Sequence, residues 1–121
     1  MGSSVLDGLG RMHIVSGSVS ASGTAALTTN DGSATLTDNG TGDFTVTFGD
    51  AFVAAPVVVA CPVDATFSTD AAVGVAVKVI ATNSVQFNCW EADVEGATAT
   101  DITNAAADIS FQFIAVGYRD N

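Results

Sequence analysis

The chain has 121 residues and a formal net charge of −10, three Lys and Arg standing against thirteen Asp and Glu. That length is one domain, and the charge excludes functions that need clustered cations, namely nucleic-acid binding and attachment to anionic membranes. The apolar share of 48% rests on Ala and Val rather than Leu and Met, which suits half-buried pleated surfaces and predicts an all-β fold.

Residues 1–10, "MGSSVLDGLG", place Val5, Leu6 and Leu9 among three glycines. Such a segment packs little by itself and is expected to be an N-terminal arm that frays or lies along a neighbour. It lacks the basic start and apolar block of a signal peptide. Leu6 also stands where a myristoylation signal needs Ser or Thr. No apolar run approaches the roughly 18 residues that span a bilayer.

Residues 11–121 are expected to form a single β domain. Strands are predicted at Arg11–Ala21, Ala25–Thr29 and Ser33–Thr37. Asp31-Gly32 is expected to make a tight hairpin with two positive φ values. In "TDNGTGDFTVTF" (Thr37–Phe48) turn chemistry precedes clean alternation, so Asn39-Gly40 and Gly42 set a register that turns Phe44, Val46 and Phe48 to the core. "PVVVACPV" (Pro56–Val63) is apolar on both faces and reads as a central strand opened by Pro56 and closed by Pro62. Next, Val73, Val75, Val77 and Val79 alternate against Gly74, Ala76, Lys78 and Ile80. After a turn at Ala81–Ser84, Val85, Phe87 and Cys89 alternate against Gln86, Asn88 and Trp90. Thr98–Asp108 reads as a loop. Ile109, Phe111, Phe113 and Ala115 then alternate against Ser110, Gln112, Ile114 and Val116. About eight short strands without a helix predict an antiparallel β-sandwich, jelly-roll-like, carrying the short arm.

Little in the chain points to chemistry. The lone histidine, His13, shares a strand face with Arg11, a poor setting for a general base. Glu91, Asp93 and Glu95 alternate onto one face but run into the loop at Gly96, so they read as exposed acids rather than a glycosidase pair. No CxxC or HExxH spacing offers a zinc site. Asp38, Asn39 and Asp43, with Asp31 nearby, are the one set with calcium-type oxygens, although hairpin-turn chemistry explains the same residues. Cys61 and Cys89 read as small buried side chains, able to bridge only if their strands pair across the core. The expectation is a protein that is not an enzyme and has no cofactor.

What a monomer leaves unexplained is surface. Trp90 falls on the polar face of its strand, and Ile80, Ile114 and Val116 also fall on outward positions. With Tyr118 they suggest a subunit contact.

"LTDNGTGDFTVTFGDAF" (Leu36–Phe52) followed by "APVVVA" (Ala55–Ala60) resembles a recurrent module of tailed-phage structural proteins, found in tail fibres and related virion components of marine phages and cyanophages. "ISFQFIAVGYRD" (Ile109–Asp120) is similar to that module's closing strand. The resemblance implies a virion structural protein. With a short arm in place of a long repetitive chain, it implies a capsid decoration (cement) protein. Such a protein is expected to be a homotrimer on the capsid surface, made in the host cytoplasm, with the major capsid protein as partner. Val5, Leu6, Leu9 and Met12 are expected to contact the shell, and Trp90, Ile114 and Tyr118 to lie between protomers. The alternative implied is a tail-fibre tip that recognises a host surface glycan or protein. No catalytic, cofactor or metal residue is implied.

Overall fold

The structure, a computed structural model, describes residues 11–21, 23–63, 71–94 and 102–119. These residues contain nine strands: β1 (Arg11–Ser20), β2 (Ala26–Thr29), β3 (Thr35–Gly40), β4 (Asp43–Thr47), β5 (Val57–Pro62), β6 (Ala71–Ile80), β7 (Ser84–Val94), β8 (Ile102–Ala106) and β9 (Phe111–Arg119). One sheet has the order β2-β1-β9-β5. The other has the order β3-β4-β7-β6, with β8 also on β7. All pairings are antiparallel, so the predicted all-β sandwich is the fold, with one strand more than expected.

Period-two alternation builds the core. Val15 and Val19 of β1, Phe44 and Val46 of β4, Val85, Phe87 and Cys89 of β7, and Phe111, Phe113 and Ala115 of β9 all point between the sheets and are buried. Aromatic rings from both sheets meet at the centre. Phe87 lies 4.8 Å from Phe111 and 5.3 Å from Phe113, and Phe44 lies 6.0 Å from Phe111, between ring centroids. Tilted pairs at these separations favour one arrangement beyond the area they bury. At one end Phe48 meets Phe52 edge-on at 5.1 Å, and Arg119 lies over the Phe52 ring. Arg119 is the buried charged residue there, 3.6 Å from Asp31.

Four readings of the sequence are corrected. The segment expected to be a loop at Thr98–Asp108 contains β8. Its sequence, ITNAA, has no alternation to mark it. The cause is the ladder: β4 pairs with β7 only from Ser84 to Asn88, and β8 pairs with the same strand from Trp90 to Val94. Backbone groups left open along that edge are satisfied by the chain that passes there.

The Pro56–Val63 strand is not central. β5 pairs with β9 alone and forms an edge of the first sheet, with Val57 70% and Val59 61% exposed. An apolar run is compatible with two covered faces, but it does not supply the cover.

Asp31-Gly32 is not a tight hairpin either, since neither residue has a positive φ. The turn carries the chain from β2 in one sheet to β3 in the other. It is closed by Ala34 N–H donating to Asp31 O (3.0 Å) and Ser33 N–H donating to the Asp31 carboxylate (3.1 Å).

Finally, β6 carries a bulge between Val77 and Val79. Val77 pairs with core-facing Phe87, but Val79 pairs with outward Gln86, so Val79 turns to the surface and Ile80 joins the row of Val85. One extra residue reverses the faces that strict alternation predicts.

Where β4, β8 and β7 converge, Cys89 N–H donates to Gly42 O (2.8 Å) and Ala107 N–H to Cys89 O (3.2 Å), while Gly42 N–H donates to the Asp108 carboxylate (2.8 Å). Gly42 has φ +67°, and a Cβ there would sit 2.5 Å from Cys89 O. Both conditions require glycine.

Candidate functional site

The two outer faces of the sandwich are the surfaces available for function, and they differ in chemistry. On the first sheet, β1 turns out Met12, Ile14, Ser16 and Ser18, and β9 turns out Gln112, Ile114, Val116 and Tyr118. β5 turns out Val57, Val59 and Cys61. Register aligns them in rows across three strands: Met12 with Tyr118, then Ile14, Val116 and Val57, then Ser16, Ile114 and Val59, then Ser18, Gln112 and Cys61. None of these residues carries a charge. At ~4.8 Å between strands and ~3.4 Å per residue, the rows project to roughly 300 Å². Val53 and Val63, in the segments flanking β5, are exposed as well.

Across the last two of these rows, a trough of about 560 Å³ runs over the small side chains of Ser16 and Ser18, between Thr28 and Asn30 on one flank and Val59 and Cys61 on the other. Its polar rim is ordered. The Asn30 amide donates to Ile14 O (2.8 Å) and accepts from Ser16 N–H (2.9 Å), continuing the β1 edge past the end of β2.

The outer face of the second sheet is polar. Thr35 and Thr37 from β3, Asp43, Thr45 and Thr47 from β4, and Ser84, Gln86 and Asn88 from β7 lie there in register, with Asn39 at the β3 bulge beside them. Asn39 donates to Thr45 Oγ1 (2.8 Å) and Asp43 Oδ1 (3.2 Å), and Gln86 Nε2 donates to the same Oδ1 (2.8 Å). The Gln86 bond above all, with Asn39 and the nearby Lys78 charge, holds the Asp43 carboxyl below its ordinary pKa against a raising effect of burial. Trp90 lies on this face, half-buried.

These placements sort the predicted site residues. Met12, Ile114 and Tyr118 come together on the apolar face, Met12 within β1 rather than in an arm. Trp90 does not join them, because it belongs to the opposite sheet. Val5, Leu6 and Leu9 lie outside the described residues, as does Glu95. Glu91 and Asp93 lie in β7. His13 is half-buried in β1 opposite Gly117.

The calcium-type set does not converge. Asp38 accepts from Gly40 N–H (3.0 Å), Asp43 is held by amide donors, and Asp31 sits at the Arg119 end of the molecule. Among the described residues no three His, Cys, Asp or Glu side chains gather.

Cys61 and Cys89 are both free thiols. Cys89 is buried as expected, but Cys61 is exposed, because it points to the outer face of its sheet beside Gln112. Burial, with the Asp108 charge, pushes the Cys89 thiol up to about 11 despite a bond to the Ile109 backbone.

Sequence reasoning missed Val57 and Val59, which complete the apolar face on its β5 side. It also missed that Trp90 faces Gly74 across the β6–β7 ladder. Comparison with family models, curated proteins and solved structures finds no match to this chain.

Proposed function

We propose that this protein is a capsid decoration (cement) protein of a tailed phage, a non-enzymatic β-sandwich that assembles as a homotrimer and binds the major capsid protein on the outside of the shell. The observation that carries the reading is the uncharged apolar face of the β2-β1-β9-β5 sheet on a chain of net charge −10. A self-repelling acidic particle associates with copies of itself most readily through a surface free of carboxylates. Its size agrees with the centre of an interface: roughly 300 Å² suits an apolar core, while a standard contact takes about 800 Å² per partner and adds a polar rim. Thr28 and Asn30, outside the rows, fit such a rim.

In this reading Met12, Ile114 and Tyr118 lie between protomers, and the arm residues Val5, Leu6 and Leu9 grip the shell. Trp90 lies on the other face and takes no part in that contact. The Leu36–Ala60 and Ile109–Asp120 strings support the virion setting through their resemblance to phage modules.

The test has two steps. Light scattering on the purified chain is expected to give three times the 12.1 kDa protomer mass. Mixing with capsids stripped of accessory proteins is expected to saturate at a fixed copy number. A monomer that ignores stripped capsids overturns the reading.

A second reading, a tail-fibre tip, is favoured by one observation, the partly exposed indole on the polar face. Binding to host cells in place of capsids would select it.

A further inference from the structure

We infer that the polar outer face carries a saccharide site built on Trp90, with a neutral pyranose as its ligand. The first observation is how the indole lies. Trp90 pairs with Gly74 on one side and Ala106 on the other, so both cross-strand neighbours are small. A Cβ built on Gly74 would fall on Cζ2, Cε2 and Nε1 of the ring. The point lies 2.3 Å from Cζ2, 2.4 Å from Cε2 and 2.8 Å from Nε1; an edge-on approach would bring Nε1 closer than Cε2, so the flat of the indole covers the glycine near that rim. Covering a strand glycine with a cross-strand aromatic ring stabilises the sheet, and that accounts for one face of the ring. The other face points away from the sheet.

The second observation is what surrounds it. A shallow pocket of about 380 Å³ is lined by Trp90, Asn88, Asp43, Lys78, Thr41 and Ala106, among others. That volume lies in the range of small-molecule sites. Asp43 and Asn88 are register partners. Asp43 is anchored through Oδ1 by Gln86 and Asn39, which holds the carboxylate in place while acceptor capacity remains on Oδ2. Asn88 offers one acceptor and two donors, and Lys78 three donors.

A pyranose matches this arrangement in two ways. Its axial C–H groups form a flat apolar face that packs on an aromatic ring. Its vicinal hydroxyls each donate and accept, so they pair with neighbouring carboxylate, amide and ammonium groups. Charge narrows the choice. Lys78 and Asp43 offset one another locally, and a chain of net charge −10 disfavours sugar acids, sulfated sugars and nucleotides alike. The site is independent of the apolar face, so the inference holds for a decoration protein displaying its polar face outward and for a fibre tip.

Trp90 is the sole tryptophan, so its emission and its indole N–H resonance report this site alone. The full-length protein is titrated with glucose, galactose, mannose and N-acetylglucosamine, each to about 100 mM. At least one is expected to give a saturable change in both signals, with Kd on the order of 1–10 mM. Lys78→Ala and Asp43→Asn leave the reporter in place, and in the second the new amide oxygen could still accept from Gln86 and Asn39. Each is expected to raise Kd about tenfold, the loss of one hydrogen bond to a charged group, with the melting midpoint near that of the wild type. Signals unmoved by all four sugars overturn the inference, as does a saturable change that both variants retain. Capsid binding is read in a separate experiment, so failure of one leaves the other standing.

Discussion

The two outer faces of this sandwich rest on similar pleated ladders and pack the same core, yet one turns out Met, Ile and Val and the other Thr, Asn and Gln. The core does not demand this difference, since inward Phe44, Val46, Phe87 and Phe113 are buried whichever residues alternate with them. Nor does folding stabilise the apolar face much. Val57, Val59 and Ile14 stay more than half exposed and gain little of the roughly 25 cal/mol per Å² that burial provides. An apolar face that contributes so little to its own fold is explained by what covers it. The polar face needs no cover, and its side chains are already tied together by the Asn39, Thr45, Asp43 and Gln86 bonds.

The largest expected effect breaks the comparison by making the faces alike. Ile114→Asp puts a carboxylate between Ser16 and Val59 in the centre of the apolar rows. The assembly is expected to fall entirely to a 12.1 kDa species in light scattering. Its melting midpoint should stay within a few degrees of the isolated fold, since Ile114 is exposed. Thr45→Asp on the polar face is the control and should leave the mass unchanged. Equal loss of assembly in both variants would place the contact elsewhere.

Gly42→Ala probes the junction on the opposite sheet. Left-handed φ costs a Cβ about 1–2 kcal/mol, and the approach to Cys89 O adds to it. A loss of at least about 2 kcal/mol is expected, a fall in Tm of roughly 8 °C or more. Assembly of the folded fraction should be retained. A midpoint unchanged by the substitution would mean that the β4–β7–β8 junction has room for a Cβ at Gly42.

The inner faces were legible because period two is a local signal: the runs at 44–48, 85–89 and 111–115 point as read. What was not legible depended on partners distant in sequence. β8 is a strand because β7 has an open edge there, and nothing in ITNAA states it. β5 reads as a covered strand because apolar residues on two faces look the same whether a neighbour exists or not. The Trp90–Gly74 pair was hidden by the bulge. Counting from the turn, where Ile80 meets Val85, pairs Trp90 with Val75, and the extra residue at Lys78 moves it to Gly74. Ile114, Val116, Tyr118 and Met12 were visible as misplaced apolar residues, so half of the apolar face was in view from the sequence, without the strand that completes it.

The thiols sharpen the contrast between surface and core. A disulfide-exchange reagent is expected to modify one cysteine per native chain, Cys61, and the second only on unfolding. Cys89 is buried with its pKa near 11, and the thiolate is the reacting form. Because Cys61 lies in the apolar rows, its labelling should be slow in the assembled protein and fast in Ile114→Asp. Equal rates in the two would show that Cys61 lies outside the contact.

The smallest effect concerns the end of the sandwich, where both sheets are tied at one carboxylate. Burial raises the pKa of Asp31, but N–H groups of Gly49 (2.9 Å) and Ser33 (3.1 Å) and the Arg119 charge outweigh it and hold the carboxyl below 3.8. A folded-state pKa below the unfolded one contributes stability that is fully present above the unfolded value and lost as pH falls through the folded value. Wild type should therefore lose stability below about pH 4 more steeply than Asp31→Asn, with the two curves converging in acid and the variant slightly weaker at neutral pH. Melting midpoints taken between pH 2 and pH 7 measure this. Parallel curves would remove Asp31 from the acid response, leaving Arg119 held chiefly by its stacking on Phe52.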